Sequence, residues 1–407
     1  MIIWLIGLKL RILYLMEKSK IKRILCVYAT RQIDSNLFMS SSVFNGLKRA
    51  GYKSDIVLLG HSDIISIIKE KYGHYFENIY EVNISRSWIS KKVKSSKAKL
   101  LYSFYLHFFK DAFLRPYSDK QITLGLKGKY NSILSFVPPP INGLFASDLR
   151  RTNKLEDIPL IQFWTDPLSL GRCDDINQIP KTRFMHKYLE RKILSKADKV
   201  FFSYKLLCEK EQELYPDMSD KMSYTHVSYI EHPFDKGKPK NEKITIGLFG
   251  AYQRRVRNIE PLLSVFERFP NVQFIIRGDA DFEVDAKQYP NLDIEPGRKP
   301  ANEIEKLESK CDILLSLAGL SGVTQPAGKT FYYANYDKPI IHIGDGIHKD
   351  YFEKYLKSIG NRWIICDNTS KSIAKAIQEA IDVLPSFKLE IPECLSPEAI
   401  AKSIIEF

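Results

Sequence analysis

Cysteine is scarce and scattered. The chain has six in 407 residues (Cys26, Cys173, Cys208, Cys311, Cys366 and Cys394), and no two form a C-x-x-C pair. That pattern excludes a zinc ribbon and a disulfide framework, and it reads as small buried hydrophobes in a reducing compartment. The eight histidines show no H-E-x-x-H or comparable spacing, so no metal site is signalled. The N-terminal run "MIIWLIGLKLRILYLM" is interrupted by Lys9 and Arg11. It falls short of the ~20 apolar residues of a spanning helix, and it has no small-residue cleavage site. Three readings fit it: a true start at Met16, a monotopic anchor, or a packed extension. Short-period repeats and low-complexity tracts are absent. Negative charge is in deficit, 48 Asp and Glu against 61 Lys and Arg, for a net charge of +13. Such a balance favours anionic partners: nucleic acid, nucleotides, phosphorylated lipid or a membrane surface.

What is present is a regular alternation. A chain this long exceeds one ordinary core, so two domains of similar size are expected. Short apolar runs at 23–29, 54–60, 131–137, 158–164, 198–204 and 225–231 read as strands, with amphipathic segments between several of them. One of these, 35–51, ends on Gly51, a natural helix stop. The stretch "DKGKPKNEK" (235–243), with Pro, Gly and four lysines, is the best linker. Beyond it the pattern restarts. Strands are expected at 243–250, 272–278, 311–317, 338–344 and 362–367, and helices at 258–268, 301–309, 328–336, 347–358 and 370–383. The fold class is α/β, two doubly wound units facing across a cleft lined by the carboxyl ends of their strands.

Four constellations lie where chemistry would need them. In "GAYQRRVRN" (250–258) a strand ends at Gly250 and a helix follows, with Arg254, Arg255 and Arg257 in the loop between. Such a loop suits phosphate, to which Arg offers bidentate contacts; a solvated basic loop is the plainer reading. "QPAGKTFYYANYDKPII" (325–341) places Gly328 and Lys329 at a helix mouth, where a lysine opposes the helix dipole unless an anion intervenes. "FWTDPLSLG" (163–171) puts Asp166 and Pro167 just past a strand, as a simple turn or as a polar group reaching the cleft. Residues 85–117 set Lys91, Lys92, Lys94, Lys97 and Lys99 before an aromatic-rich segment. This suits an anionic membrane surface, or else a core helix with a basic flank. No nucleic-acid module surrounds it, so nucleic acid is not an expected partner.

In order and spacing these features resemble the GT-B glycosyltransferases, specifically the family-four group of retaining bacterial enzymes. Coverage runs from about residue 22 to the end. "KYNSILSFVPPPINGLFASDLRR", "IPLIQFWTDPLS" and "RKILSKADKVFFSY" are similar to the group's first domain. "YIEHPFD" stands where the group has its Asn-Gly-x-Asp stretch. "GLFGAYQRRVRNIEPLL" is similar to its glycine loop, with the phosphate-binding cation on Arg257 and Arg254 near. "QPAGKTFYYANYDKPII" is similar to its Pro-x-x-Lys-x-Phe-Glu-Tyr run, through Lys329, Phe331, Tyr333, Lys338 and Pro339. The chain departs from the group in three places. Tyr332 replaces the glutamate that holds the ribose, "YATRQIDSN" replaces the glycine-rich stretch after the first strand, and Thr165 stands where relatives have His or Arg.

The resemblance implies an N-terminal extension (1–20), an acceptor domain (21–236), a nucleotide-sugar donor domain (237–390) and a C-terminal helix (391–407) packing back on the first domain. It implies sugar transfer from a nucleotide-sugar donor to a lipid-linked or growing polysaccharide acceptor, such as lipopolysaccharide, O-antigen or capsule, at the cytoplasmic membrane face. Lys329, Arg257 and Arg254 would face the donor diphosphate, where fixed cations and a helix N-terminus stabilise the charge of the leaving group. Gly250, Gln325, Gly328, Thr330 and Tyr332 would line the donor, with Gln325 or Tyr332 taking over the ribose contact. Asp166 would touch the sugar or acceptor. No metal or other cofactor is implied, and the leaving diphosphate would take the acceptor's proton. Tyr332 also admits an alternative, a non-catalytic GT-B-like scaffold of a glycan-assembly complex. A nucleotide-sugar epimerase of the same fold is a further rival, although the sequence signals no pair of cleft carboxylates for proton abstraction.

Overall fold

The computed structural model describes residues 22–29, 35–84, 115–137, 139–170, 180–229, 243–254, 257–319, 328–333 and 336–407. The N-terminal run, most of the basic aromatic segment 85–117, Cys173, Gln325 and nearly all of the expected linker 235–243 lie outside them.

The first unit carries seven strands: β1 (Arg23–Ala29), β2 (Lys53–Gly60), β3 (Asn78–Asn83), β4 (Ser132–Val137), β5 (Leu160–Trp164), β6 (Lys199–Phe202) and β7 (Met222–Tyr224). They pair in the order β3-β2-β1-β4-β5-β6-β7, all parallel. Its helices are α1 (Ser35–Arg49), α2 (Ser62–Tyr72), α3 (Asp119–Ile122), α4 (Ile141–Thr152), α5 (Pro180–Leu194) and α6 (Lys205–Leu214). The second unit has β8 (Ile244–Phe249), β9 (Val272–Gly278), β10 (Leu292–Pro296), β11 (Ile313–Leu317), β12 (Ile340–Gly344) and β13 (Trp363–Asp367), in the parallel order β10-β9-β8-β11-β12-β13. Its helices are α7 (Glu260–Leu263), α8 (Ala301–Lys310), α9 (Lys329–Tyr332), α10 (Lys349–Ser358), α11 (Ser370–Val383) and α12 (Pro397–Ile405).

Parallel strands covered by helices on both faces read as unbroken apolar runs. β4, β5, β11 and β12 are buried at every position. The edge strands β3 and β10 are partly exposed and mixed in character, which hides them in the sequence. In each sheet the strand order reverses once, between β1 and β4 and between β8 and β11. The crevice outside the carboxyl ends there is where ligands dock in this architecture.

The chain crosses back at its end. α12 lies on α1 of the first unit: Ile400, Ala401, Ile404 and Ile405 join the core around Leu37, Phe44 and Leu47. Gly46 makes room, since a Cβ there would sit 2.0 Å from the Pro397 carbonyl oxygen. The units also meet through aromatic rings. His226 stacks on Tyr355 at 5.9 Å, Tyr204 meets the same ring edge-on at 5.8 Å, and the Tyr351 hydroxyl accepts the Leu206 N–H at 2.9 Å.

Three expected elements differ. The helix expected over 328–336 is the short helix Lys329–Tyr332 among the described residues. The strand expected at 225–231 is displaced to β7, because Thr225, His226 and Tyr229 are spent on the crossing. Thr225 bonds Ser403 at 2.7 Å, and the Tyr229 N–H donates to the Leu395 carbonyl at 3.3 Å. The helix expected over 258–268 is a single turn, Glu260–Leu263, with a 3-10 turn at Phe266–Arg268. The Ser264 hydroxyl bonds back to the Pro261 carbonyl at 2.8 Å, a local bond that competes with helix continuation. Gly51 adopts φ +81° after α1, as its place in the sequence leads one to expect.

Candidate functional site

The carboxyl end of β8 is built around two glycines. The Gly250 N–H donates to the Arg277 carbonyl at 2.9 Å, and Gly250 itself has φ +139°. Gly278, at the end of β9, lies against it so closely that its Cβ would sit 1.8 Å from the Gly250 oxygen. Pairing continues one step further, with the Tyr252 N–H on the Asp279 carbonyl at 2.9 Å. The chain then doubles back. Gln253 N–H donates to Arg257 O at 3.1 Å and Arg257 N–H to Gln253 O at 2.7 Å, so a small hairpin projects from the switch point between β8 and β11. Arg255 lies outside the described residues.

Arg254 and Arg257 therefore share one loop. Arg254 is held on its outer side: Nε donates to Glu260 at 2.9 Å, the guanidinium lies 4.9 Å from the centre of the Phe282 ring, and its backbone N–H donates to Asp281 at 3.0 Å. Asp281 belongs to an Asp-x-Asp triplet, Asp279-Ala280-Asp281, which corrects the expectation, used in support of a metal-free site, that the chain lacks such a motif. Among the described residues no group of three or more His, Cys, Asp or Glu is arranged to hold a metal ion.

Lys329 sits at the start of α9, just after Gly328, and is half-buried. Its ammonium pairs with the fully buried carboxylate of Glu308 on α8, 4.7 Å from the centre of the Tyr332 ring and 5.5 Å from that of Tyr333. The Tyr336 hydroxyl donates to the other Glu308 oxygen at 3.0 Å. Burial pushes the Glu308 carboxyl up, and Lys329 and Tyr336 pull against that shift. The expectation was a lysine left unbalanced at a helix mouth; the structure supplies a carboxylate from a helix some twenty residues earlier. Tyr332 donates to Glu305, one turn back on the same helix, and Thr330 is fully buried. The Tyr333 hydroxyl meets the Phe249 carbonyl at 3.5 Å, which ties this segment to the strand end that leads into Gly250. Lys338, also matched in the resemblance, is a helix cap. Its Nζ donates to the carbonyls of Glu308 at 2.9 Å, Ser309 at 3.2 Å and Cys311 at 2.7 Å.

Asp166 stands apart from these, at the carboxyl end of β5 in the first unit. The turn that carries it is fixed on both sides. The Thr165 N–H donates to the Val137 carbonyl at 2.9 Å, and the Ser203 hydroxyl donates to the Thr165 carbonyl at 3.1 Å. Past Pro167, the fully buried Glu190 of α5 accepts the Leu168 N–H at 2.6 Å, the Ser169 hydroxyl, and the Tyr215 hydroxyl at 3.0 Å. Burial raises the Glu190 carboxyl against these hydrogen bonds. A second buried carboxyl, Glu211 of α6, is raised well above its ordinary value by burial and by Glu190. Sequence reasoning missed both, because a glutamate in an amphipathic helix carries no local sign of burial. Burial also pushes up the Tyr204 hydroxyl, with Tyr355 and Asp166 adding to the shift. Of the described cysteines four are buried as expected, but Cys394 is exposed.

No protein-family model matches the chain, and no curated protein does. Solved structures do. UDP-GlcNAc 2-epimerase from Neisseria meningitidis, bound to UDP-GlcNAc, superposes with a TM-score of 0.54 at 12% identity, over 95% of this chain and 99% of that one. The fold is GT-B. The lipopolysaccharide outer core galactosyltransferase WaaB, in its apo form, matches with a TM-score of 0.50 at 12% identity, over 95% and 99% of the two chains. The N-terminal domain of Candida albicans trehalose-6-phosphate phosphatase matches with a TM-score of 0.55 at 14% identity, over 94% and 93%. At such identities the likeness speaks for the GT-B fold, which glycosyltransferases and UDP-GlcNAc 2-epimerases share. No helix among the described residues is long and apolar enough to cross a membrane.

Proposed function

We propose that this GT-B chain is a retaining, metal-independent glycosyltransferase that moves a sugar from a nucleotide-sugar donor to a lipid-linked or growing polysaccharide acceptor. The observation that carries the reading is the hairpin Gln253–Arg257. It stands at the carboxyl end of β8, at the switch point of the second sheet, and its two described arginines follow a glycine with positive φ. Arg257 and Lys329, with Arg254 beside them, would hold the donor diphosphate. Charge that develops on the leaving group is stabilised most by cations already fixed in place. Gly250, Gly328, Thr330 and Tyr332 would line the donor, with Gln325 from outside the described residues. Asp166 would approach the sugar or acceptor from the first unit, and the leaving diphosphate would take the acceptor's proton. Residues 85–117 would rest on an anionic membrane, placing the protein on its cytoplasmic face.

One observation favours a second reading, a non-catalytic scaffold: Arg254 and Lys329 already have carboxylate partners in Glu260 and Glu308. The deciding experiment incubates the protein with a panel of nucleotide sugars and lipid-linked acceptors. Release of nucleoside diphosphate with sugar incorporated into acceptor supports transfer. An isomerised sugar nucleotide would mark an epimerase, and binding without any turnover a scaffold.

A further inference from the structure

The Asp166 turn is built with more care than a surface turn requires. Four hydrogen bonds fix it, and three of the groups that supply them are buried: the Val137 carbonyl, Ser203 and Glu190. Between the two clamps lie Asp166, which is half-buried, and Pro167, which is buried. Pro167 further restricts the backbone of Asp166. Glu190 has the largest share. Its carboxylate, 0% exposed, takes the Leu168 N–H on one oxygen and two hydroxyl donors, Ser169 and Tyr215, on the other. Burying a carboxylate is costly, and its retention under a single turn calls for a reason beyond packing. The Tyr215 hydroxyl donates to the same Glu190 oxygen as Ser169, so the carboxylate is tied to the residue after α6 as well as to the turn.

We propose that Glu190 is a positioning residue for the first unit's half of the site: it fixes the Thr165–Ser169 turn from beneath and so holds Asp166 at the carboxyl edge of the sheet, where a sugar hydroxyl would meet it. The inference rests on the transferase reading of that edge. Glu190 touches no substrate; it acts through Asp166. Its effect should therefore appear in turnover and not in the hold on the nucleotide, which belongs to the other unit. It should also vanish once Asp166 no longer offers a carboxylate.

The test uses the full chain with UDP-, GDP-, dTDP- and ADP-sugars. Nucleotide affinity is read by calorimetry with the matching nucleoside diphosphate, and turnover as release of that nucleotide with water as acceptor. Glu190→Gln keeps an acceptor for the Leu168 N–H but puts an amide where two hydroxyls donate. It is expected to leave nucleotide affinity within twofold and to lower release by about tenfold. Asp166→Asn is expected to lose at least as much, and the double variant no more than Asp166→Asn alone. Ser169→Ala, which removes one donor from the turn, serves if Glu190→Gln fails to fold; about a threefold loss with unchanged affinity is expected. Wild-type turnover in Glu190→Gln, or an undiminished Glu190→Gln effect in the Asp166→Asn background, overturns the positioning role and leaves the transferase reading standing. No release by the wild type with any donor, and no sugar incorporated when lipid-linked acceptors are added, overturns the transferase reading, and the positioning role with it.

Discussion

A Cβ atom on Gly278 would lie 1.8 Å from the carbonyl oxygen of Gly250. The two strand ends that frame the candidate diphosphate loop are thus in backbone contact, and no other residue fits at 278. Gly278→Ala must push β8 and β9 apart, at a cost of about 3 kcal/mol or more. Gly297 makes a useful control. It has φ +98° but nothing within 4 Å of its missing Cβ, so Gly297→Ala costs only the backbone strain, about 1–2 kcal/mol. Urea unfolding of both variants checks the difference, and Gly278→Ala is also expected to lose any response to nucleotide.

Lys329→Ala is expected to destabilise the fold as well as the candidate site. It strips the buried Glu308 carboxylate of its counter-ion and leaves Tyr336 as its side-chain donor among the described residues. Removing one member of such a pair costs about 1–3 kcal/mol where the cation is partly exposed. Glu308 then retains a carboxyl pKa raised by burial with less to oppose it, so the loss is smallest in acid and grows as pH rises. Adding Glu308→Gln to Lys329→Ala should restore much of the melting temperature at neutral pH. A double variant no more stable than Lys329→Ala would contradict this.

The same physics explains what was legible in the sequence. The central strands, mostly apolar with single buried polar residues such as Gln162, Ser316 and His342, and the helices of the second unit at 301–309, 347–358 and 370–383 were readable because burial sets their composition. Edge strands β3 and β10 were not, since a half-exposed edge carries polar residues such as Glu81 and Asp293. The loop glycine Gly250 and the arginines Arg254 and Arg257 stood out by spacing. Glu308, Glu260 and Glu190 did not, for each acquires its meaning from a partner brought near only by folding. Lys338 illustrates the converse: a matched residue whose role, capping α8, is structural.

Glu211 should make stability depend on pH. Its folded-state pKa lies well above that of an ordinary carboxyl, through burial and then Glu190, so the fold favours the protonated form. The groups that face it include Glu190, with Tyr215 and Ser169 bonded to that carboxylate. The stability this supplies is present below the unfolded carboxyl's pKa and is lost as pH rises through the folded value. Glu211→Gln removes that loss. Its melting temperature relative to wild type is expected to climb over the range from the ordinary carboxyl pKa upward. A difference that stays flat across that range would show that Glu211 does not titrate with folding.

The membrane contact proposed for 85–117 predicts a salt-sensitive attraction. Each lysine near an anionic surface contributes about 1 kcal/mol, so neutralising Lys91, Lys92, Lys94, Lys97 and Lys99 together should nearly abolish sedimentation with anionic liposomes. Unchanged sedimentation would remove the membrane from the account.

The central claim is that the Gln253–Arg257 hairpin and Lys329 hold the diphosphate of a nucleotide, and thermal stabilisation by UDP, GDP, dTDP, ADP and CMP tests it most directly. Binding to the folded state raises the melting temperature by mass action. The account predicts a shift with one of the four nucleoside diphosphates and a weaker one or none with CMP, which has a single phosphate; the shift is absent in Arg257→Ala and in Lys329→Ala carrying Glu308→Gln, with both variants folded. A well-folded protein that responds to none of them, or a shift that survives both variants, would contradict it.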